Sequence, residues 1–141
     1  MESRRERGFT LVEMMVVIVI IGVLATIVIV NVSGKADIAK VRATEAILKS
    51  VASNVAEFKM NHNRYPNTLS ELVKMPPDID PKTWPRDGYL LEMPVDGWGR
   101  ELLYRQPGAN GASFDLYSLG EDGHEGGEGP AADIYWRKGQ R

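Results

Sequence analysis

The sequence contains no cysteine. This absence excludes disulfide bonds, thiolate metal sites and cysteine nucleophiles, and it leaves the redox compartment open. An excess of charge of either sign is also missing, since 17 Lys and Arg stand against 19 Asp and Glu, a net charge of -2 over 141 residues. No basic surface of the kind that binds nucleic acid is indicated, so no nucleic-acid partner is expected. This length has room for one domain plus an anchor.

Charge is absent from residues 14–34, a run of 21 mostly apolar residues. As a helix this run would be roughly 31 Å long, about the hydrocarbon thickness of a bilayer. No A-x-A-like cleavage site follows it, so a retained membrane span is predicted in place of a secretory signal. Arg4, Arg5 and Arg7 precede it, which predicts a cytoplasmic N-terminus and places residues 36–141 across the membrane.

The helical pattern continues beyond this run. Residues 36–61 contain neither Pro nor Gly. Apolar side chains recur there at helical spacing and form one stripe, made by Ile38, Val41, Leu48, Val51, Val55 and Phe58. We therefore predict one helix from Phe9 to about Asn61, with Gly34 as its weakest point. Pro66 predicts the end of the helix, because it biases Tyr65 away from helical backbone angles.

A short helix and a small sheet are predicted after Pro66. Asn67 or Thr68 is expected to cap the helix, which would continue to about Lys74. Strands are predicted at 101–106 and 113–118, with further candidate strands at 89–93 and 133–136. The predicted fold class is α+β, a long N-terminal helix packed on a small antiparallel sheet that is followed by an acidic, glycine-rich loop.

Glu13 is the acid that borders the uncharged run. An ionised group at the edge of a membrane span costs a few kcal/mol unless something pairs with it. Three interpretations follow from the residue itself: the carboxylate reaches the lipid headgroups, it caps its own helix by complementing the helix dipole, or it meets a partner.

The segment Gly8-Phe9-Thr10-Leu11-Val12-Glu13, between a basic head and the apolar run, resembles the processing site of type IV prepilins and pseudopilins. The resemblance implies that a prepilin peptidase cuts between Gly8 and Phe9, and that the new amine of Phe9 is methylated. Residues 1–8 would then be a cytoplasmic leader, residues 9–34 a transmembrane and filament-core helix, and residues 35–141 a periplasmic domain. In a filament the Phe9 ammonium of one subunit would approach Glu13 of its neighbour, a pairing that fixes register more than stability.

The segment from Gly120 to Asp133 is rich in glycine and acid. Its five acids lie within 13 residues and are Glu121, Asp122, Glu125, Glu128 and Asp133. Calcium takes six to eight oxygen ligands in permissive geometry, but the spacing here does not match an EF-hand loop. Composition alone favours a solvated acidic turn over a calcium site.

Three segments together resemble the major pseudopilin of type II secretion systems. They are Asp96-Gly97-Trp98-Gly99, the run 117–123, and the glycine-rich tail up to Asp133-Ile134. The resemblance implies a structural calcium ion held by Asp122, Asp133 and the backbone carbonyl of Leu119. One departure is Gly97, where the family pattern expects proline, and glycine there is expected to loosen the turn.

The resemblance implies a structural subunit and no enzyme. Such a subunit leaves the inner membrane, polymerises with copies of itself and with minor pseudopilins on an inner-membrane assembly platform, and helps drive folded proteins across the outer membrane. Two alternatives stay open. One is a type IV pilin for adhesion, motility or DNA uptake, and the other is a single-pass membrane-anchored binding protein or enzyme that never polymerises.

Smaller candidates carry less weight. His62 and His124 have no partners at metal-ligand spacing and are expected at the surface. Trp84, Trp98 and Trp136 could form a sugar platform, but packing against the long helix is the commoner use of buried aromatic rings.

Overall fold

The structure, a computed structural model, describes residues 8–136 apart from the side chains of residues 27–34. Its contacts divide the chain into two units, Met1–Ala36 and Asp37–Arg141. Apart from Gly8, the predicted leader lies outside the described residues, and the predicted transmembrane segment 9–34 ends among the side chains that are not described. Within the described part of the chain, no helix combines the length and the hydropathy needed to cross a membrane.

The first element, α1, is a single helix over Leu11–His62, which confirms the predicted long helix. In the second unit, its Leu48, Val51, Val55 and Phe58 side chains are buried as the apolar stripe predicts. The prediction is wrong for Ile38, which is 53% exposed.

The helix ends at His62, where Asn63 adopts left-handed backbone angles with φ 55°. A one-turn helix, α2, follows at Ser70–Val73. The predicted cap by Asn67 or Thr68 is wrong, because Leu69 occupies the N-cap position and no side chain caps the helix.

Arg64 ties the end of α1 to the segments that follow it. Its guanidinium lies 2.8 Å from a Glu71 carboxylate oxygen and 2.9 Å from an Asp78 carboxylate oxygen. Burial by itself would raise the pKa of Glu71, but hydrogen bonds from Arg64 and Asn67 outweigh it and lower that pKa. Asn67 therefore acts on Glu71 and does not act as a helix cap.

Three short antiparallel strands form the sheet in the order β1-β2-β3. They are β1 at Leu103–Arg105, β2 at Asp115–Ser118 and β3 at Ile134–Tyr135, each shorter than predicted. The strand predicted at 89–93 is wrong. The backbone N–H groups of Tyr89 and Leu90 both donate to the Leu72 carbonyl of α2, so this segment is committed to α2 and not to a strand.

The core lies between the C-terminal half of α1 and the sheet. The sheet side contributes Leu102, Phe114 and Leu116, which join the buried α1 side chains in one cluster. Trp84 packs on the long helix as predicted and lies edge-on to Phe58. Trp136 instead stacks on Phe114 of the sheet side, with ring centroids 5.2 Å apart.

The surface position predicted for His62 is wrong. Its ring lies 4.7 Å from the Phe58 ring and stacks on Trp84 at 6.2 Å, measured between centroids. The hydroxyl of Tyr89 lies 2.9 Å from His62 Nε2. Burial, followed by the positive charge of Arg64, lowers the pKa of His62, whereas Asp78 opposes the shift.

A tight turn at residues 96–100 docks against α1. The N–H of Gly97 donates to the buried hydroxyl of Thr44 at 2.9 Å, and that hydroxyl donates in turn to the Lys40 carbonyl. A Cβ added at Gly97 would lie 2.6 Å from the Lys40 carbonyl oxygen. The turn is thus held tightly, and the expectation that Gly97 loosens it is wrong. Glycine is required here because the helix backbone leaves no space for a side chain.

We predict that Gly97→Ala destabilises the second unit, because the added methyl group forces the turn away from the backbone of Lys40. Overpacking of this kind costs about 1–3 kcal/mol. Urea unfolding of the full chain in detergent, followed by tryptophan fluorescence, measures the loss. Thr44→Val is the companion variant, since it removes the hydrogen bond to Gly97 and adds no atom at the contact. A Gly97→Ala protein with the stability of the parent would contradict the close approach.

We predict that His62 makes the stability of the chain fall as the pH falls. An unfolded histidine has a pKa of about 6.5, and the folded protein holds it lower, so acid favours the unfolded state below about pH 6.5. Urea unfolding at pH 7.5 and pH 5.5 should show a smaller loss in His62→Gln than in the parent. Equal slopes in His62→Gln and in the parent would refute the role of His62.

Candidate processing site and metal-binding loop

The predicted cleavage site lies just ahead of the first turn of α1. Gly8 and Phe9 precede the helix, which begins at Leu11. The Phe9 side chain is 81% exposed, and open space surrounds the Cα of Gly8. Nothing in the described chain blocks access to the Gly8–Phe9 peptide bond.

Thr10 and Glu13 form a reciprocal cap on this helix end. The Glu13 Oε2 atom accepts hydrogen bonds from the Thr10 N–H at 2.8 Å and from the Thr10 hydroxyl at 3.0 Å. The Thr10 hydroxyl in turn accepts from the Glu13 N–H at 3.2 Å. This is the capping box, in which a Thr at the cap and a Glu three residues later satisfy each other's backbone donors.

Of the three interpretations of Glu13, the single chain therefore adopts the helix cap. Both bonds from Thr10 fall on Oε2, and Oε1 accepts no hydrogen bond from any described residue. One carboxylate oxygen thus orients the side chain and the other stays open. The cap and an additional partner for Glu13 are geometrically compatible.

Apolar side chains of the first unit are exposed along α1. Residues 9–26 are exposed without exception, and most of them are Val, Ile, Leu or Met. Within the described residues, no other segment covers this part of the helix. A helix that is apolar on every side calls for lipid or for other helices around it.

In the second unit, the C-terminal loop folds back on itself. The Glu121 N–H donates to the Pro130 carbonyl at 3.0 Å, and Asp133 N–H donates to the Gly126 carbonyl at 3.1 Å. Gly120 has φ 67°, and a Cβ there would lie 2.6 Å from the Ala132 carbonyl oxygen. These contacts bring the segment before Asp122 against the segment before Asp133.

Each of the three predicted ligands keeps an oxygen that accepts no hydrogen bond from the described part of the chain. Asp133 Oδ2 accepts from Gly126 N–H at 3.1 Å and from the Tyr135 hydroxyl at 3.4 Å, whereas its Oδ1 is buried and has no hydrogen-bond partner among the described residues. Asp122 Oδ1 accepts from His124 N–H at 3.0 Å, and its Oδ2 accepts from no described residue. The Leu119 carbonyl likewise accepts no hydrogen bond within residues 8–136. A buried carboxylate oxygen without a donor is costly unless a cation or water meets it.

Side chains alone do not form a metal cage. In the part of the chain that the structure describes, no three His, Asp or Glu side chains converge as a metal group. The predicted set of two carboxylates and one carbonyl stays a prediction, and the orphaned Asp133 Oδ1 is the feature that fits it.

Two residues that hold this loop were not predicted as functional. The buried Asp96 carboxylate accepts from the Ser118 hydroxyl at 2.6 Å. Arg100 donates from Nη1 to the Gly120 carbonyl at 2.7 Å and from Nη2 to the Glu121 carbonyl at 2.6 Å. The only sequence signal was that Asp96 opens a recognisable Asp-Gly-Trp-Gly turn and that Arg100 follows it.

Two family models match the chain. Residues 31–137 match the family described as type II secretion system protein G, and residues 3–29 match the prokaryotic N-terminal methylation motif. The second match covers the segment that contains Gly8, Phe9 and Glu13.

Several relatives are similar over nearly their whole length. The chain is 46% identical to the type II secretion system core protein G of Pseudomonas aeruginosa, with 95% of this chain and 96% of that protein covered. It is 37% identical to the core protein G of Vibrio cholerae, with 94% and 92% covered. The fold is similar to the crystal structure of the major pseudopilin from the type 2 secretion system of enterohaemorrhagic Escherichia coli. That match has a TM-score of 0.59 at 30% identity and covers 74% of this chain and 92% of the other. The chain belongs to the type II secretion system protein G family, and its α+β fold is that of a pseudopilin.

Proposed function

We propose that this chain is a structural subunit of the type II secretion pseudopilus and has no catalytic role. After cleavage between Gly8 and Phe9, copies of the chain polymerise into a periplasmic filament that helps drive folded proteins across the outer membrane. The observation that carries the proposal is the exposed apolar start of α1, with its capped Glu13, in a chain of the protein G family.

Polymerisation would exchange lipid contact for helix contact. Lipid is as apolar as the helix, so the gain has to come from close packing and from polar contacts between helices. The amine that cleavage creates on Phe9 is such a polar group. It would approach the open Oε1 of Glu13 in a neighbouring subunit, while Oε2 stays in the cap with Thr10. The pair would set the axial register of the filament.

Before assembly, the apolar residues 9–34 would hold the subunit in the inner membrane, with a cytoplasmic N-terminus and a periplasmic second unit. The basic head of Arg4, Arg5 and Arg7 supports this orientation. The partners that follow are prepilin peptidase, the lipid bilayer, the inner-membrane assembly platform, minor pseudopilins and other copies of this chain.

Each of the two alternative functions leaves one observation unexplained. A type IV pilin for adhesion, motility or DNA uptake would share the processing site, but the match over residues 31–137 is to protein G. A membrane-anchored protein that never polymerises would retain its leader and would have no use for an open carboxylate at Glu13.

We predict that Glu13→Gln is cleaved and methylated normally but assembles poorly. Glutamine also forms capping boxes, so the helix end survives while the charge that would meet the Phe9 amine is lost. Removing one partner of a buried ion pair costs about 3–5 kcal/mol, so filament yield should fall by more than about tenfold. Mass spectrometry of the mature N-terminus and recovery of sheared filaments from cells measure the two steps.

Glu45→Gln is the matched control, because Glu45 is an exposed α1 carboxylate without a described partner. Normal filament yield from Glu13→Gln would contradict the charge pairing and leave only the cap. A parent chain that still begins at an unmethylated Met1 would overturn the proposed function itself.

We further propose that the C-terminal loop binds a structural calcium ion through Asp122, Asp133 and the Leu119 carbonyl. The buried Asp133 Oδ1 without a donor and the unshared Leu119 carbonyl support this assignment. Hard oxygen donors in a flexible backbone are the ligands that calcium prefers. When bound, the ion supplies positive charge that neutralises the acidic loop, and it stabilises the folded state because the unfolded chain offers no preformed site.

We predict that Asp122→Ala removes the stabilisation that calcium gives to the full chain in detergent. At calcium 100-fold above its Kd, that stabilisation is about 2.7 kcal/mol, or on the order of 10 °C in melting temperature. Thermal unfolding with calcium and with chelator measures it. Glu128→Gln, an exposed acid of the same loop, should retain the calcium effect. An equal loss for Asp122→Ala in chelator would indicate an ordinary hydrogen-bonding role.

A further inference from the structure

We propose that Arg100 is the positioning residue of the calcium loop, and this inference rests on the calcium site proposed above. It acts on the ligands through the backbone and would not contact the ion. The supporting observation is that the Arg100 guanidinium donates hydrogen bonds to the two backbone carbonyls directly after Leu119. These are the carbonyls of Gly120, at 2.7 Å, and Glu121, at 2.6 Å.

The backbone of Arg100 is itself fixed in the second unit. Its N–H donates to the Asp96 carboxylate at 3.0 Å, and its carbonyl accepts from the Asp96 N–H at 2.7 Å. Asp96 is 5% exposed. The guanidinium therefore projects from an anchored turn, and its side chain needs little further ordering to form hydrogen bonds with the loop.

The Arg100 side chain also contacts the backbone on the other side of Asp122. A Cβ added at Gly123 would lie 3.0 Å from Arg100 Nε and 3.2 Å from its Cζ, so the guanidinium packs closely on this glycine. At the start of the loop, the Ser118 hydroxyl donates to Asp96 and accepts from the Gly120 N–H at 3.1 Å. Hydrogen bonds hold the turn at residues 118, 120 and 121, and the guanidinium packs against residue 123.

Two of the three proposed ligands, Leu119 and Asp122, lie in this turn, and Arg100 does not contact their ligand oxygens. The Leu119 carbonyl and Asp122 Oδ2 accept no hydrogen bond within the described chain, although their neighbours are held on either side. Arg100 thus donates to the Gly120 and Glu121 carbonyls, which are not proposed ligands, and leaves the Leu119 carbonyl free. Hydrogen bonds to charged groups are among the strong ones, so this arrangement orders the loop before the ion arrives.

Arg100 has two opposing effects on the affinity of the loop for calcium. Pre-ordering lowers the entropy that calcium binding has to overcome, whereas the positive charge of Arg100 repels a cation. The guanidinium charge is already shared with two carbonyl dipoles and lies at an exposed position where water screens it, so pre-ordering should dominate. Loss of Arg100 should weaken calcium binding.

The experiment measures calcium affinity by isothermal titration of the full chain in detergent, for the parent and for Arg100→Gln. Loss of groups that orient metal ligands typically weakens binding by about 10–100-fold, and we expect a loss of at least about tenfold. Arg100→Lys should fall between the two, since one ammonium cannot match the paired geometry of the guanidinium. Arg86→Gln is the matched control, because Arg86 is exposed and its side chain bonds to no described residue.

Thermal unfolding in calcium and in chelator separates positioning from plain stabilisation. A positioning role reduces the calcium-induced rise in melting temperature, whereas a merely structural role lowers both melting temperatures equally and leaves the calcium Kd unchanged. Unchanged or tighter calcium binding by Arg100→Gln would overturn the inference while the calcium site stands. A parent chain that binds no calcium would instead overturn the proposed site.

Discussion

The buried carboxylate of Asp96 is the interaction on which the second unit depends. One oxygen orders the 96–100 turn through the N–H groups of Trp98 and Arg100, and the other accepts from Ser118 at the end of β2. The same turn rests on the backbone of α1 through Gly97. Asp96 therefore holds together the turn that contacts α1, the end of β2 and the start of the C-terminal loop. Its side chain can be buried because three donors of the described chain satisfy its oxygens.

The start of α1 and the C-terminal loop share one physical feature. At each of them, part of a polar group is used to hold local structure and part is left open. Glu13 caps its helix with one oxygen, and Asp133 meets Gly126 with one oxygen while the other has no donor. The buried Asp133 Oδ1 is the costly case, because no described residue donates to it, whereas Glu13 is exposed. The proposed assembly contact and the proposed calcium ion would each meet one of these open oxygens.

Local signals predicted well and distant ones did not. The length and apolar period of α1 were readable because they repeat along one segment, and the motif around Glu13 lies within six residues. The strand expected at 89–93 failed because the Leu72 carbonyl takes the N–H groups of Tyr89 and Leu90. The β-propensity of residues 89–93 gives no information about this competing hydrogen-bond acceptor. His62 was misplaced for a similar reason, since its aromatic neighbours Trp84 and Tyr89 lie more than twenty residues away.

The sequence by itself indicated the family, the processing segment and the long helix, because each depends on residues that are neighbours in the chain. The candidate ligands followed only from the resemblance to that family. Only the tertiary structure decided that Gly97 is demanded by the close approach of Lys40. It alone decided that Arg100 reaches across twenty residues to hold the loop. Those outcomes depend on which backbone groups the fold leaves facing one another, and no pattern within a single segment encodes that.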